Sequence, residues 1–206
     1  MILVKKQHKL ALFSLLISLL LSLAESAEIS NRSSGDIKSQ VIESRTRFSL
    51  STEAILLNNA GTPANSIGFG VGIQYALSEK WALKTSFNQA FYITAFSPLY
   101  SSVDIRAVYA LTGSLISKNE NITVGSNEVL KSEEYLQGGW RLQGQSDLYF
   151  FNTDSSVISF TGLGIGASYE FPSTNRKNIN IGMRLDFVSS STATLVPLQL
   201  FVEILF

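Results

Sequence analysis

The sequence predicts an all-β protein: an up-and-down antiparallel transmembrane β-barrel of eight strands, with ten strands as the alternative. Three observations support this prediction. About eight segments alternate apolar and other residues with a period of two, which is the period of a β-strand. The apolar face of these segments carries no charged residue, as a surface in contact with lipid requires. The N-terminus has the three-part pattern of an export signal.

Residues 1–24 are the predicted signal peptide. Three lysines precede an apolar run at 10–23, and a small-x-small cleavage site follows at 22–24. An N-terminal membrane anchor is the alternative, but a spanning helix takes about 20 apolar residues and the run is shorter. Cleavage after Ala24 or within the next three residues removes the three lysines and His8. The mature chain then has 13 basic and 16 acidic residues and no histidine.

The rest of the chain divides into an arm and a barrel domain. Residues 25–44 are polar and without a sustained period, which predicts a flexible periplasmic arm. Residues 45–206 form the predicted outer-membrane barrel. The expected strands are about 10–14 residues long, which suits tilted strands that cross a bilayer better than globular strands of about 5–6. They lie near 45–57, 66–77, 80–91, 102–112, 138–151, 158–171, 178–188 and 194–206.

The face opposite the apolar one is rich in glycine and carries charges of both signs. Such a face suits a narrow lumen filled by short side chains and compensating charges. A soluble ligand-binding barrel would instead expose Lys, Glu and Thr there, and an antiparallel sandwich is the other alternative. We call the charged set the lumen charge network and assign it a structural role. Its members are Arg47, Glu53, Lys84, Asp104, Arg106, Arg141, Asp147, Glu170, Arg184, Asp186 and Glu203.

Aromatic residues gather at one end of the expected strands. If the C-terminus is periplasmic, this end lies at the periplasmic headgroups, where membrane proteins concentrate Trp and Tyr. Both tryptophans of the chain belong to the set, and all its members fall on the apolar face. The predicted periplasmic aromatic belt is Tyr75, Trp81, Tyr109, Trp140, Tyr169, Phe171 and Phe206.

The last strand ends in Phe206, with apolar residues at every second position before it. This pattern resembles the C-terminal signal of bacterial outer-membrane β-barrel proteins, and residues 45–206 resemble in shape the small barrels of the outer-membrane protein A and X type. The resemblance implies a Gram-negative outer membrane as the location. It also implies outer-membrane lipid as a partner, and recognition of the last strand by the barrel-assembly machinery.

Residues 113–137 do not fit a simple barrel. By strand parity they are periplasmic, where a turn of about 25 residues is unusual. They could extend strand four into a hairpin around 118–121 or hold a short helix at 131–136. They could also add two strands and make a barrel of ten. Eight strands are preferred because Trp81 and Trp140 then lie at the same interface.

No constellation predicts catalysis. The chain has no cysteine, and the outer-membrane enzymes that this barrel size suggests resemble one another in using histidine, which the mature chain lacks. No metal site or cofactor is predicted, and the balanced charge gives no reason to expect nucleic acid binding. We therefore expect a non-enzymatic outer-membrane protein with a structural or surface-interaction role. The alternatives are a small porin-like channel for ions or small solutes, and an enzyme with a histidine-free site.

Overall fold

The computed structural model of the chain describes nine ranges of residues, which include all predicted barrel strands. The predicted signal peptide lies outside these ranges, as do residues 132–137, which cover most of the helix considered for the 113–137 segment. The described ranges are 27–34, 37–59, 62–93, 97–124, 128–131, 138–152, 157–172, 177–189 and 194–206.

Thirteen β-strands make up the regular structure of these residues. Those that precede residue 138 are β1 (Ala27–Ser34), β2 (Ile37–Ser44), β3 (Thr46–Asn59), β4 (Thr62–Ala76), β5 (Trp81–Tyr92), β6 (Pro98–Ala110), β7 (Ser117–Val124) and β8 (Glu128–Lys131). Those that follow are β9 (Gly139–Asn152), β10 (Val157–Phe171), β11 (Asn178–Ser189), β12 (Thr194–Leu195) and β13 (Leu198–Leu205). No helix in the described part of the chain is long and apolar enough to cross a membrane.

Nine of these strands close into one antiparallel barrel. Each strand pairs with its neighbour in the order β3, β4, β5, β6, β9, β10, β11, and β13 closes the circle onto β3. The short β12 pairs only with β11 and leads through Val196 and Pro197 into β13, so the two count as one wall strand. The prediction of eight strands is confirmed. We call the end where β3 begins and β13 ends the terminal end, and the opposite end the distal end.

The strands form because consecutive side chains point to opposite faces of the wall, as the period-two pattern requires. β5 shows this alternation, since Leu83 and Phe87 are 48% and 44% exposed on the outside while Lys84 and Ser86 are 3% and 6% exposed inside. β13 alternates exposed and buried residues over its whole length. Polarity is therefore reversed relative to a soluble barrel.

A second sheet of four strands has the order β1, β2, β7, β8. All its pairings are antiparallel, and Glu43 of β2 lies opposite Lys118 of β7. The prediction of an arm without regular structure is therefore corrected, because residues 27–34 and 37–44 form strands. The segment 113–137 is corrected in part, since it adds two strands to this sheet instead of the barrel, and residues 118–121 lie within β7 and not at a turn.

Candidate functional site

The outer face of the barrel is the first half of the candidate site. Many of its large apolar side chains are more than a third exposed, and the most exposed include Val71 (54%), Ile105 (62%), Leu163 (67%) and Ile165 (65%). A continuous apolar surface of this kind on a monomer marks contact with another apolar phase. Thr85, a polar residue on this face, bonds within the wall, since its Oγ1 donates to the Asp104 carbonyl (2.9 Å).

The aromatic residues of the predicted belt lie together at the terminal end. Each lies within the last three positions of a strand, within the first two positions of a strand, or directly after β13. Trp81 and Trp140 are 50% and 52% exposed on the outer face. Their rings contact those of Tyr109 (4.7 Å between ring centroids) and Tyr169 (5.2 Å) respectively.

The remaining members extend this ring of contacts. Tyr169 contacts Phe171 with 4.8 Å between ring centroids. The Nζ of Lys177 lies 5.5 Å from the centroid of the Phe206 ring, and Tyr75 is paired with Thr46 at the start of β3. Amphipathic rings with a flanking cation suit the boundary between acyl chains and headgroups.

The barrel interior is the second half of the candidate site. All eleven members of the lumen charge network are buried, with at most 5% of any of them exposed. Alternation alone explains this placement, because each lies on the face opposite the apolar one. Charges buried this deeply require partners, since an isolated ion in a low-dielectric interior is strongly destabilising.

Glu170 binds the two lumen arginines nearest the terminal end. Its carboxylate accepts from Arg47 Nη1 (2.6 Å) and from Arg141 Nε (3.0 Å). Asn178 also donates to Glu170. Arg47 lies on β3 and Glu170 on β10, so this pair bridges strands that are not neighbours in the wall.

Two further pairs lie in the middle of the lumen. Lys84 on β5 forms an ion pair with Glu203 on β13, which also accepts from Asn180 Nδ2 (3.2 Å). Arg106 donates twice to Asp104, from Nε (2.8 Å) and Nη2 (2.7 Å), in the fork geometry that guanidinium groups favour. Ser86 and Asn88 also donate to Asp104, each at 2.8 Å.

Arg184 organises the distal half of the network. Its Nη2 donates to both carboxylate oxygens of Glu53 (3.2 and 3.3 Å), and its Nε lies 3.6 Å from Asp186. Asp186 also accepts from Tyr149 (2.7 Å) and from Gln199 Nε2 (2.6 Å). The predicted compensation between Arg184 and Asp186 is therefore present but long, and Glu53 is the closer ionic partner.

Apolar side chains fill the lumen on both sides of this charged layer. At the terminal end the cluster comprises Ala76, Ala82, Val108, Ala110, Leu115 and Ile116. At the distal end it comprises Ile55, Ala90, Leu99, Tyr100, Tyr149 and Val188, with Phe151, Phe160 and Leu195 packed against it. The polar interior is thus enclosed between two apolar layers, which we call the terminal closure and the distal closure.

The terminal closure is built by the segment that follows β6 and folds back into the barrel mouth. Buried arginines hold its backbone: Arg141 donates to the carbonyls of Thr112 (2.5 Å) and Ser114 (3.2 Å), and Arg47 to that of Leu115 (3.0 Å). The Leu115 amide in turn donates to the Glu79 carbonyl (2.8 Å). The same arginines bind Glu170, so the closure is coupled to the lumen charge network.

Outside the barrel, a cluster of charges joins the β4–β5 turn to the second sheet. Lys118 Nζ lies 2.7 Å from Glu79 Oε1 and 3.5 Å from Glu43 Oε1. The hydrogen bond from Lys118 and its charge lower the pKa of the Glu79 carboxyl. The hydrogen bond to Glu79 raises the pKa of Lys118.

Several residues that complete the interior were not singled out from the sequence. Gln145, Tyr149 and Gln199 hold lumen carboxylates in place, and strand parity could have found Tyr149 because it lies two residues after Asp147. Leu115 and Ile116 carry no such signal, since they belong to the irregular segment between strands. Within the described ranges, no three carboxylate, His or Cys side chains are grouped as a metal site would need.

Comparison with known proteins shows a likeness in fold. No protein-family model matches the sequence, and no curated protein matches it either. Neisserial surface protein A is similar over 79% of this chain and 97% of its own, with 10% identity and a TM-score of 0.55. The N-terminal β-barrel domain of Pseudomonas aeruginosa OprF (16% identity, 77% and 97% covered, TM-score 0.42) also matches. So does the Yersinia pestis attachment invasion locus protein Ail (16%, 80% and 98%, TM-score 0.36). The chain therefore has the fold of the small outer-membrane proteins, a closed antiparallel barrel of eight strands.

Proposed function

We propose that the chain is an integral outer-membrane protein that acts without catalysis, in envelope structure or in surface interaction. The observation that carries this proposal is the reversed polarity of the barrel wall. Eleven charged side chains are buried in the lumen, while residues such as Leu163, which is 67% exposed, face outward. This arrangement is stable only where the surrounding phase is apolar.

The proposed location is the outer membrane of a Gram-negative bacterium. Export by the signal peptide at 1–24 leads there, and outer-membrane lipid is then the partner of the apolar face. The terminal end, with its aromatic belt, faces the periplasm. The barrel-assembly machinery is the proposed partner of the last strand, whose final amide, that of Phe206, donates to the Phe48 carbonyl of β3 (2.9 Å).

The interior favours a barrel that does not conduct over the porin-like alternative. Eight strands leave a lumen that side chains about fill. Here the central layer is cross-linked by ion pairs between strands that are not neighbours, such as Lys84 with Glu203. The terminal and distal closures add apolar layers on either side, and an ion would have to cross both.

Fractionation of the full chain tests the proposed location. We expect the protein in the outer-membrane fraction, with the mobility difference between boiled and unboiled gel samples that folded barrels show. Truncation of Phe206 should reduce the folded fraction, whereas Leu111→Ala, outside the barrel wall, should leave it unchanged. A processed chain that stays in the soluble fraction would contradict the proposal.

Conductance across planar bilayers tests the closed lumen. The refolded full chain should leave the membrane silent. Leu115→Gly together with Ile116→Gly should still leave it silent, because the distal closure remains. Reproducible single-channel steps from the parent protein would favour the channel instead.

A further inference from the structure

One carboxyl group in the lumen has no cationic partner. The lumen charge network contains five cations and six carboxyl groups, all buried. Five of these carboxyl groups have an Arg or Lys nitrogen within 3.6 Å, namely Glu53, Asp104, Glu170, Asp186 and Glu203. Of the six lumen carboxyl groups, Asp147 is the one without such a partner, and it is only 4% exposed.

The strands on either side of Asp147 supply no cation for it. On β6, Asp104 lies directly opposite Asp147 in register, so two carboxyl groups face each other. Arg106, also on β6, donates twice to the Asp104 carboxylate (2.8 and 2.7 Å) and once to Ser86 Oγ (3.0 Å). On β10 the inward positions beside Asp147 are Gly162 and Gly164, which carry no side chain.

The next strand, β11, brings a further carboxyl group toward the same point. A single amide links the two acids, since Gln145 Nε2 donates to Asp147 (2.8 Å) and to Asp186 (2.7 Å). Arg184, also on β11, lies 3.6 Å from Asp186 and has no ion pair with Asp147. Tyr149, next to Asp147 on the inward face of β9, donates its hydroxyl to Asp186 (2.7 Å).

A second observation is an unsatisfied acceptor beside the two acids. Gln145 Oε1, the oxygen of the amide that links the two acids, is buried without any hydrogen-bond partner. Buried acceptors are normally satisfied, because an unmade hydrogen bond costs the full desolvation of the group. The site therefore has one carboxyl group more than its cations balance. Addition of a single proton removes the excess negative charge.

We propose that Asp147 binds a proton in the folded barrel and is present there as a neutral carboxylic acid. The proton neutralises the sixth carboxyl group, so five cations face five anions. The acid's O–H supplies a donor to an acceptor-rich site. No metal or organic ligand is required, and the site is independent of any surface-interaction role of the protein.

Proton binding at Asp147 links folding to pH. In the unfolded chain the Asp147 side chain is solvated and ionised near neutral pH. Folding then takes up a proton, so this contribution to stability is largest in acid and declines as pH rises. The partners that set the charge around Asp147 are Asp104 and Arg106 from β6 and Asp186 and Arg184 from β11.

Infrared spectroscopy of the full chain folded in detergent tests the proposal directly. At pH 7 the parent protein should show the C=O stretch of a protonated carboxyl group, shifted by exchange into D₂O. Asp147→Asn should abolish this band. A parent spectrum without the band would overturn the proposal whatever the variants do, and so would a band that persists in Asp147→Asn.

Asp104→Asn is the matched control, since it makes the same chemical change on the opposite strand. It removes a carboxylate that Arg106 needs, so the folded fraction should unfold at lower denaturant than the parent. Asp147→Asn should unfold at the same or higher denaturant than the parent at pH 8, and this gain should shrink toward pH 5. Equal destabilisation by the two variants at pH 8 would contradict a neutral Asp147.

Discussion

The outer and inner faces of the same barrel strand differ sharply in exposure and in the contacts that hold them. On β10, Leu163 and Ile165 are 67% and 65% exposed on the outer face, while the alternate positions 162 and 164 are buried glycines. The outer face is specified by apolar character, since its large exposed side chains are apolar. The inner face is specified by contacts, because five of its six carboxyl groups pair with a named cation and Gly164 leaves room for its neighbours. The outer face therefore depends on the surrounding lipid, and the inner face on its own charge balance.

Loss of Arg184 should have the largest effect, because it breaks the inner charge balance. Arg184→Met leaves Glu53 and Asp186 without their cation and should cost about 3–5 kcal/mol of unfolding free energy. Denaturant unfolding in detergent micelles measures this loss. Lys177→Met, which removes an exposed cation at the terminal end, is the control and should change stability by less than about 1 kcal/mol. Similar losses of unfolding free energy from both variants would show that the buried ion pairs do not stabilise the barrel.

A charge introduced on the outer face should have the second-largest effect on stability. Leu163→Arg places a cation toward the middle of the apolar band, at a cost of about 2–4 kcal/mol in lipid. The heat-modifiable folded fraction in membranes should fall sharply. Leu163→Met should leave it unchanged. If the arginine variant assembles as well as the methionine variant, the outer face is not in lipid.

Substitution of glycine by alanine should have different effects on the inner and outer faces. An added Cβ at Gly164 would overlap Asp186 Oδ1 and lie 2.8 Å from Gln145 Cγ, whereas at Gly144, on the outer face of β9, it meets nothing within 4 Å. Gly164→Ala should therefore destabilise the barrel by about 1–3 kcal/mol. Gly144→Ala should be neutral or slightly stabilising. Both values come from the same denaturant titration, and equal effects would refute the close packing of the lumen.

The contact between Glu79 and Lys118 should have the smallest effect, because both side chains are well exposed and solvent screens them. The lowered pKa of Glu79 means that its contribution is present above the ordinary pKa of glutamate, about 4.3, and is lost as pH falls through the lowered value. The raised pKa of Lys118 means that its contribution is lost only in strong alkali. The stability difference between the parent and Glu79→Gln should thus vanish toward pH 3. A difference that stays constant from pH 7 to pH 3 would rule out this pair.

Most of the barrel follows from alternation alone. The run Ile67–Leu77 has one apolar and one small-residue face, and β4 (Thr62–Ala76) exposes Phe69 and Val71 on the outside and buries Gly68 and Gly70, as that pattern requires. Ile73 is the exception on the apolar face, with 6% exposed. The same parity places the lumen charges and the belt aromatics. A period of two is decisive here because a slip of one residue would turn every charge toward lipid.

Pairing between distant segments could not be predicted in this way. Neither 37–44 nor 117–124 has a clean period, and their register, with Glu43 opposite Lys118, depends on two segments more than 70 positions apart meeting beside the barrel. The ion-pair partners inside the lumen could not be predicted from the sequence either. Lys84 pairs with Glu203 across the barrel because the tilt of the strands brings the two residues to the same height along the barrel axis. Strand parity predicts which face a side chain lies on, but not its height.

Spin-label accessibility is the most direct test of the reversed barrel. The chain has no cysteine, so a single label can be placed at Val71, Leu163 or Met183 on the outer face and at Glu79 outside the barrel wall. In lipid vesicles the three outer labels should collide with oxygen and be protected from a water-soluble nickel chelate, and the label at Glu79 should show the reverse. Equal exposure of all four labels to the chelate would contradict a lipid-facing apolar surface.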